Sequence, residues 1–325
     1  MTVGGDREKS RIHIVIAADS AYLPWAATAM LSALERHDPG TLAFHLLHDG
    51  AIIDSEAQRF EQLVRPAAGS IELHAVRDER IDALRPPRSG SFVTWFRLIV
   101  PDLFPDLSRV LLLDADTFIT DRLEPLWTTP LLQAPLAAVA NVVEPTRGPH
   151  VRSLGIVDPR TYLNAGVLLL DLERMRSEGA SEALLRFASE NASRISWLDQ
   201  DTLNVVFAGR WLPLHPRWNA MNSLWTWRDW AEEVFGDDAV RDATTSPGIL
   251  HFEGPAMCKP WHYLSDHTWR REYRETLART PWAGTPLDDD TLAVRLIARL
   301  PPQRRIPAYW QWAKLRQRVD RLRRS

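Results

Sequence analysis

Short apolar runs that stop at a polar or acidic residue alternate with stretches of helical spacing along most of the chain. The first run, in RIHIVIAADS, stops at Asp19, and YLPWAATAMLSALERH follows with apolar residues at helical intervals. LAFHLLHDG reads as a strand, DSEAQRFEQLV as a helix with an Asp or Ser cap, SIELHAV as a strand and FVTWFRLIVPDLF as a helix. This alternation predicts a parallel sheet with helices on both faces. The later runs LAAVANVV, YLNAGVLLLDL and GILHF are too short and too uniformly apolar for surface helices, so they read as central strands. Helical patterns at ASEALLRFASEN and DQDTLNVVFAG lie between them, and beyond residue 285 the alternation gives way to PPQRRIP and a helix rich in Trp and Arg.

One run breaks its own pattern. RVLLLDADTFIT is apolar from Val110 to Leu113 and at Ala115, yet Asp114 and Asp116 interrupt it where burial should continue. Residues i and i+2 of a strand point to one side, and ligands of open α/β sheets bind at the carboxyl ends of strands. Two converging carboxylates repel unless a cation or a proton separates them. Hard oxygen ligands suit Mg²⁺ or Mn²⁺. Taken alone, D-x-D reads equally as a solvated turn with Asp116 as a cap. A second strand end, GILHFEGPAMCKPW, supplies His251, and imidazole beside carboxylates favours Mn²⁺; Lys259 beyond it offers a point charge for a phosphate. Asn164 and Gly166 form an unexpected polar pair opening an apolar strand. Asp199, Gln200 and Asp201 stand at a helix start, where at least one acid fits a plain cap.

Composition narrows the class. The 325 residues are 45% hydrophobic and 25% charged, the balance of a globular protein. A single cysteine, Cys258, excludes an internal disulfide framework and fits a reducing compartment. No apolar run approaches the roughly 20 residues of a spanning helix. MTVGGDREKS lacks an apolar core, so it reads as a disordered tail over residues 1–10 and no secretory signal. Neither G-x-G-x-x-G after the first strand nor G-x-x-x-x-G-K-[ST] is present, which argues against an ordinary dinucleotide-binding enzyme or P-loop kinase.

Taken together and in this order, VIAADSAY, FRLIVPDLF, RVLLLDADTFITDRLEPLW, YLNAGVLLLDL, DQDTLN, RWN and HFEGPAMCKPWH resemble the pattern of glycosyltransferase family 8, over roughly residues 11–270. The resemblance implies a GT-A-type α/β fold, with a mixed, mostly parallel central sheet flanked by helices. It implies a retaining hexosyltransferase that uses a UDP-sugar donor and depends on Mn²⁺, with Mg²⁺ as the alternative ion. By position it implies Mn²⁺ on Asp114, Asp116 and His251, and uracil and ribose on Ala17, Asp19 and Tyr22. Arg97 would contact the donor sugar or order the nucleotide side, Ala115 joins the donor-binding set, and Gly254 and Lys259 would hold the diphosphate. The catalytic set Asn164, Asp199 and Gln200 would hydrogen-bond sugar hydroxyls. Gln200 would lie opposite the leaving group, and as a poor nucleophile it fits front-face return of the acceptor along the departing diphosphate. Two departures stand out: extra residues around Met257 and Cys258 in the lysine loop, and Asn141 where relatives often carry an acid.

Charge and tryptophan extend the expectation to partners. The net charge is −3, yet from Arg295 to Ser325 ten Arg or Lys stand against Asp320 alone. With Trp310 and Trp312 ahead of the basic run, that tail has the composition of a membrane-surface segment; nucleic acid and a plain solvated terminus are the alternatives, and no nucleic-acid partner is expected. Among the 14 tryptophans, Trp218 reads as core, whereas Trp225, Trp227 and Trp230 fit an acceptor platform or packing equally. The expected organisation is a GT-A domain over 11–285 and a basic membrane-surface tail over 286–325. The expected partners are a UDP-sugar, a lipid-linked or cell-envelope glycan acceptor and an anionic membrane surface, with the protein cytoplasmic and peripheral on the inner face of the cell membrane. A non-catalytic sugar-nucleotide or glycan-binding protein on the same fold is the alternative, and a nucleotidyltransferase is disfavoured because AADSAY is not a basic glycine loop.

Overall fold

The structure is a computed structural model that describes residues 11–84 and 91–324; the expected disordered tail, 1–10, lies outside the described residues. The strands are β1 (Ile12–Ala17), β2 (Leu42–His48), β3 (Ser70–Ala75), β4 (Arg109–Asp114), β5 (Thr117–Ile119), β6 (Leu136–Ala140), β7 (Leu163–Asp171), β8 (Leu212–Pro213), β9 (Ala220–Met221) and β10 (Ile249–His251). Seven form a sheet in the order β3-β2-β1-β4-β7-β6-β8, and β5, β10 and β9 form a second, smaller sheet. In the large sheet β1 runs parallel to β2 and β4, β2 to β3 and β6 to β8. β7 runs antiparallel to both β4 and β6. The expected mixed, mostly parallel sheet is therefore present.

β1, β2, β4, β6 and β7 are buried almost throughout because both sheet faces are covered, which is why their sequences are continuously apolar. One face carries Val15, Leu47, Leu112 and Leu168 against Trp95, Phe96, Phe104 and Phe207. Among the helices, α1 (Leu23–Leu34), α2 (Asp54–Val64), α3 (Ala180–Glu190) and α4 (Leu198–Val206) follow the expected spacing.

Two expectations need correction. GILHF is not a strand of the large sheet: β10 is the middle strand of the small one, antiparallel to β5 and parallel to β9. Its apolar residues are buried all the same, so composition could not separate the two placements. FVTWFRLIVPDLF is not one α-helix: Phe92–Ile99 is a 3₁₀ segment and Val100–Leu103 a single α turn. Pro101 lacks the N–H that would bond back to the Arg97 carbonyl, so a regular helix cannot run through.

The described chain divides into two compact units, 11–252 with 276–283, and 253–275 with 284–324. The second unit holds α5 (Leu292–Ile297) and α6 (Pro302–Arg324). Its anchor is Asp289, at φ 55°, whose Oδ2 accepts from Tyr309 Oη at 2.6 Å and whose Oδ1 accepts from Arg316 Nη1 at 2.8 Å. Those two bonds fix one side of α6, and Tyr309 is buried there.

Candidate functional site

The Ala17↔Asp114 register sets the ends of β1 and β4 side by side, and the pairing of β10 with β5 carries His251 to the turn after β4. His251↔Thr117 is the last pair of that ladder, and the Phe252 N–H donates to the Asp116 carbonyl at 3.0 Å. As a result Asp114, Asp116 and His251 converge, with ligand atoms all within 4.8 Å of one another. His251 Nε2 lies 3.6 Å from Asp114 Oδ2 and 3.4 Å from Asp116 Oδ1.

A chain of hydrogen bonds orients that imidazole. The Gly166 N–H, which can only donate, reaches Asn164 Oδ1 at 2.9 Å. Asn164 Oδ1 must then also accept from Asn219 Nδ2, at 2.8 Å. That orients the Asn219 amide with its oxygen 2.9 Å from His251 Nδ1. An amide oxygen only accepts, so Nδ1 carries a proton, and Nε2 is the ring atom turned to the two carboxylates. With the ring neutral, three electron-rich atoms face one another at this spacing and repel unless a cation or a proton lies between them. The donor set of two carboxylate oxygens and a neutral imidazole, the latter oriented by a carbonyl-type acceptor, fits a divalent ion such as Mn²⁺. Gly166 is required by proximity, since a Cβ there would fall 2.2 Å from His251 Cε1.

Arg97 organises the other side. Its Nη2 donates to Asp114 Oδ1 at 2.6 Å, its Nε lies 2.8 Å from Asp199 Oδ2, and its Nη1 donates to the Ala165 carbonyl at 2.7 Å. Burial alone would lower the Arg97 pKa; the charges of Asp114 and then Asp199 reverse this and raise it, so the guanidinium stays charged. For Asp199, burial raises the carboxyl pKa against the pull of Arg97, and Thr94 Oγ1 donates to its Oδ1 at 2.9 Å. Leu198, just before Asp199, sits at φ 39°, strain of about 1–3 kcal/mol for a non-glycine residue.

The site lies where β7 leaves its ladder. Between the pairs Ala138↔Leu168 and Ala140↔Leu163 the register shifts, and side chains serve the Ala165 backbone instead. Gln200 Oε1 accepts from its N–H at 3.0 Å while Arg97 takes its carbonyl. Gln200 Nε2 donates to Tyr162 Oη at 3.4 Å, so both ends of this amide have protein partners. Asp201 is the capping acid of its trio: Oδ2 accepts from the Ser196 and Trp197 N–H groups at 2.6 and 2.9 Å, and Oδ1 from Tyr162 Oη at 2.5 Å.

Of the remaining expected residues, Asp19 caps a short turn, its Oδ1 accepting from the Ala21 and Tyr22 N–H groups at 3.0 and 3.2 Å. Ala17 ends β1, Ala115 is buried between the two aspartates, and Tyr22 is 40% exposed. Gly254, at φ 89°, and Lys259, whose Nζ lies 5.8 Å from the Trp261 ring centroid, belong to the second unit. Trp218 is buried, as expected for core. Sequence reasoning missed the roles of Asn219 and Thr94. Asn219 lay inside the RWN stretch, but no local pattern marks an amide whose partner is 32 residues away.

The sequence profile of glycosyl transferase family 8 matches residues 13–265. The lipopolysaccharide 1,3-galactosyltransferase of Salmonella typhimurium is 26% identical over 288 residues, covering 86% of this chain and 82% of that protein. General stress protein A of Bacillus subtilis is 25% identical over 280 residues, 85% of this chain and 96% of its own. The crystal structure of the galactosyltransferase LgtC in complex with donor and acceptor sugar analogues superimposes with a TM-score of 0.74 at 28% identity, covering 84% of this chain and 99% of that one. With the mixed sheet in this strand order and a profile match over most of its length, the chain belongs to glycosyl transferase family 8 and has its GT-A fold.

Proposed function

We propose that this glycosyltransferase moves a hexose from a UDP-sugar to a lipid-linked or cell-envelope glycan with retention of configuration, and that it depends on Mn²⁺. The observation that carries the reading is the convergence of His251 Nε2 with the Asp114 and Asp116 carboxylates, the ring being oriented by Asn219. The lipopolysaccharide-modifying activity in the name of the Salmonella relative supports the acceptor class. When bound by these three residues, the ion would act as a Lewis acid on the donor diphosphate and stabilise the leaving charge.

In this reading the chain's own residues divide the work. Arg97 holds Asp114 and Asp199 in place. Asn164 acts through Asn219 on His251 as well as lying beside the donor sugar. Gln200 and Asp199 line the sugar side, and Gln200, tied to Ala165 and Tyr162, positions rather than attacks. Ala17, Asp19, Tyr22 and Ala115 take the nucleotide, and Gly254 and Lys259 take the diphosphate, where fixed positive charge meets developing negative charge. No strong protein base is needed if the leaving phosphate accepts the acceptor's proton. The domain of 11–285 carries this chemistry, and the tail of 286–325 holds the enzyme peripherally on the inner face of the cell membrane. Among the described residues no helix is long and apolar enough to cross a membrane.

The test is hydrolysis of a panel of UDP-sugars with Mn²⁺ and no acceptor, before and after exhaustive chelation. Turnover of one donor that disappears with the metal is expected, and an α-linked product, read by NMR, once an acceptor is supplied. Undiminished turnover after chelation would sink the metal reading, and a β-linked product the retaining one.

A further inference from the structure

A second convergence of metal-ligating side chains lies on the large sheet, away from the site above. His13, His45, and the pair Glu72 and His74 stand on β1, β2 and β3, the last an edge strand. The register pairs His13↔Ala43 and His45↔Glu72 put all four on one sheet face, because partners in register and residues two apart share a side. On β1, His13 is four residues before Ala17, the neighbour of Asp114, which is about 13 Å along the strand.

The spacing is that of ligands around one ion. His45 Nδ1 lies 3.2 Å from His74 Nε2, and each of these nitrogens lies 3.6 Å from Glu72 Oε2. Metal bonds of 2.0–2.2 Å in a tetrahedron place neighbouring ligand atoms about 3.3–3.5 Å apart. At 3.6 Å the carboxylate is too far from either ring for a hydrogen bond. Two further features match a built site. His45 Nε2 lies 3.0 Å from His13 Nδ1, the second-nitrogen contact that orients a metal-bound imidazole. Phe104 sets its ring edgewise against both imidazoles, at centroid distances of 4.8 and 5.1 Å from His45 and His74, and closes one side with apolar surface. His45 is buried while Glu72 is exposed, which leaves a solvent side for a fourth ligand.

We infer that His45 Nδ1, His74 Nε2 and a Glu72 carboxylate oxygen hold a second divalent transition-metal ion of the zinc class, with His13 orienting His45. The site ties the edge strand β3 to β2 and is independent of the glycosyl-transfer reading. The competing arrangement is a metal-free chain of neutral histidines sharing protons along His13, His45 and His74.

The test uses the full chain carrying Asp116→Asn to weaken the first site, stripped by chelator and titrated with Co²⁺. Visible d–d absorption reports a tetrahedral environment, and Zn²⁺ is the competitor. One equivalent of Co²⁺ with tetrahedral bands, displaced by Zn²⁺, is expected. Adding Glu72→Gln or His74→Asn should weaken that binding at least tenfold, with far-UV circular dichroism unchanged. Glu72 is exposed, so its replacement keeps the fold even if the histidine variant does not. No tetrahedral Co²⁺ signal in the Asp116→Asn protein, or binding unchanged by Glu72→Gln, overturns the inference in favour of the histidine chain.

Discussion

Position 166 shows how tightly the first site is specified. A methyl group there meets the His251 ring at 2.2 Å, so Gly166→Ala must displace either the imidazole or β7. Overpacking of this kind costs about 1–3 kcal/mol; urea unfolding should show that loss, and Mn²⁺ titration followed by EPR should show weakened binding. Asn219→Ala makes a different cut. It leaves the ligands in place but frees His251 to protonate on either nitrogen, and losing such an orienting partner typically costs 10–100-fold in metal affinity. The expected result is that drop, together with a loss of about 1–3 kcal/mol in urea unfolding because a buried amide and its two partners are left unpaired; unaltered affinity would show that the amide relay does not control the metal. Asp114, Asp116 and His251 were legible because each ends an apolar run, a local break in pattern. The relay was not, because it depends on which way two amides face across three chain segments.

At the scale of elements, α6 departs from the simple picture of an amphipathic membrane helix. Tyr309 and Arg316 are spent on Asp289, and Arg316 also lies over the Trp312 ring at 5.4 Å. Ile306 and Trp310 are exposed one turn apart, and so are Leu315 and Val319. At about 100° per residue the two pairs lie on opposite sides of the helix, so they form no single apolar stripe. Any binding to anionic membranes then rests on charge more than on insertion. Lys314 and Arg318 are exposed, and reversing both to Glu should abolish most co-sedimentation with anionic vesicles while leaving UDP-sugar hydrolysis unchanged. High salt should mimic the variant on the intact protein, since the Debye length shortens from about 10 Å at 0.1 M to about 3 Å at 1 M. Equal sedimentation of variant and parent would dismiss the tail as a membrane contact. Basic composition was readable in the sequence; the pinning of one helix side by Asp289 was not, because that partner precedes the helix in a segment without regular pattern.

For the whole molecule, stability in acid carries a signature of His267. Burial lowers its pKa, against the pull of Asp266, to about 4. The unfolded chain takes up this proton below about 6.5, whereas the folded protein refuses it until about 4. His267 therefore contributes fully above 6.5, and that contribution is lost as pH falls through the window, with a slope of up to about 1.4 kcal/mol per pH unit. His267→Gln should flatten the difference curve between pH 6.5 and 4 in urea unfolding at stepped pH; an identical slope in both proteins would place the acid sensitivity elsewhere. The layered α/β architecture was legible because alternating apolar runs and helical spacing persist over hundreds of residues. The small sheet was not, since a strand buried there has the same composition as one in the large sheet. That small sheet has a consequence during synthesis. The large sheet is complete once Pro213 has emerged, with both aspartates in place, but β10 and His251 follow only dozens of residues later. A chain that ends before β10 contains every strand of the large sheet yet lacks the imidazole, so the three-residue site exists only in chains synthesised through His251.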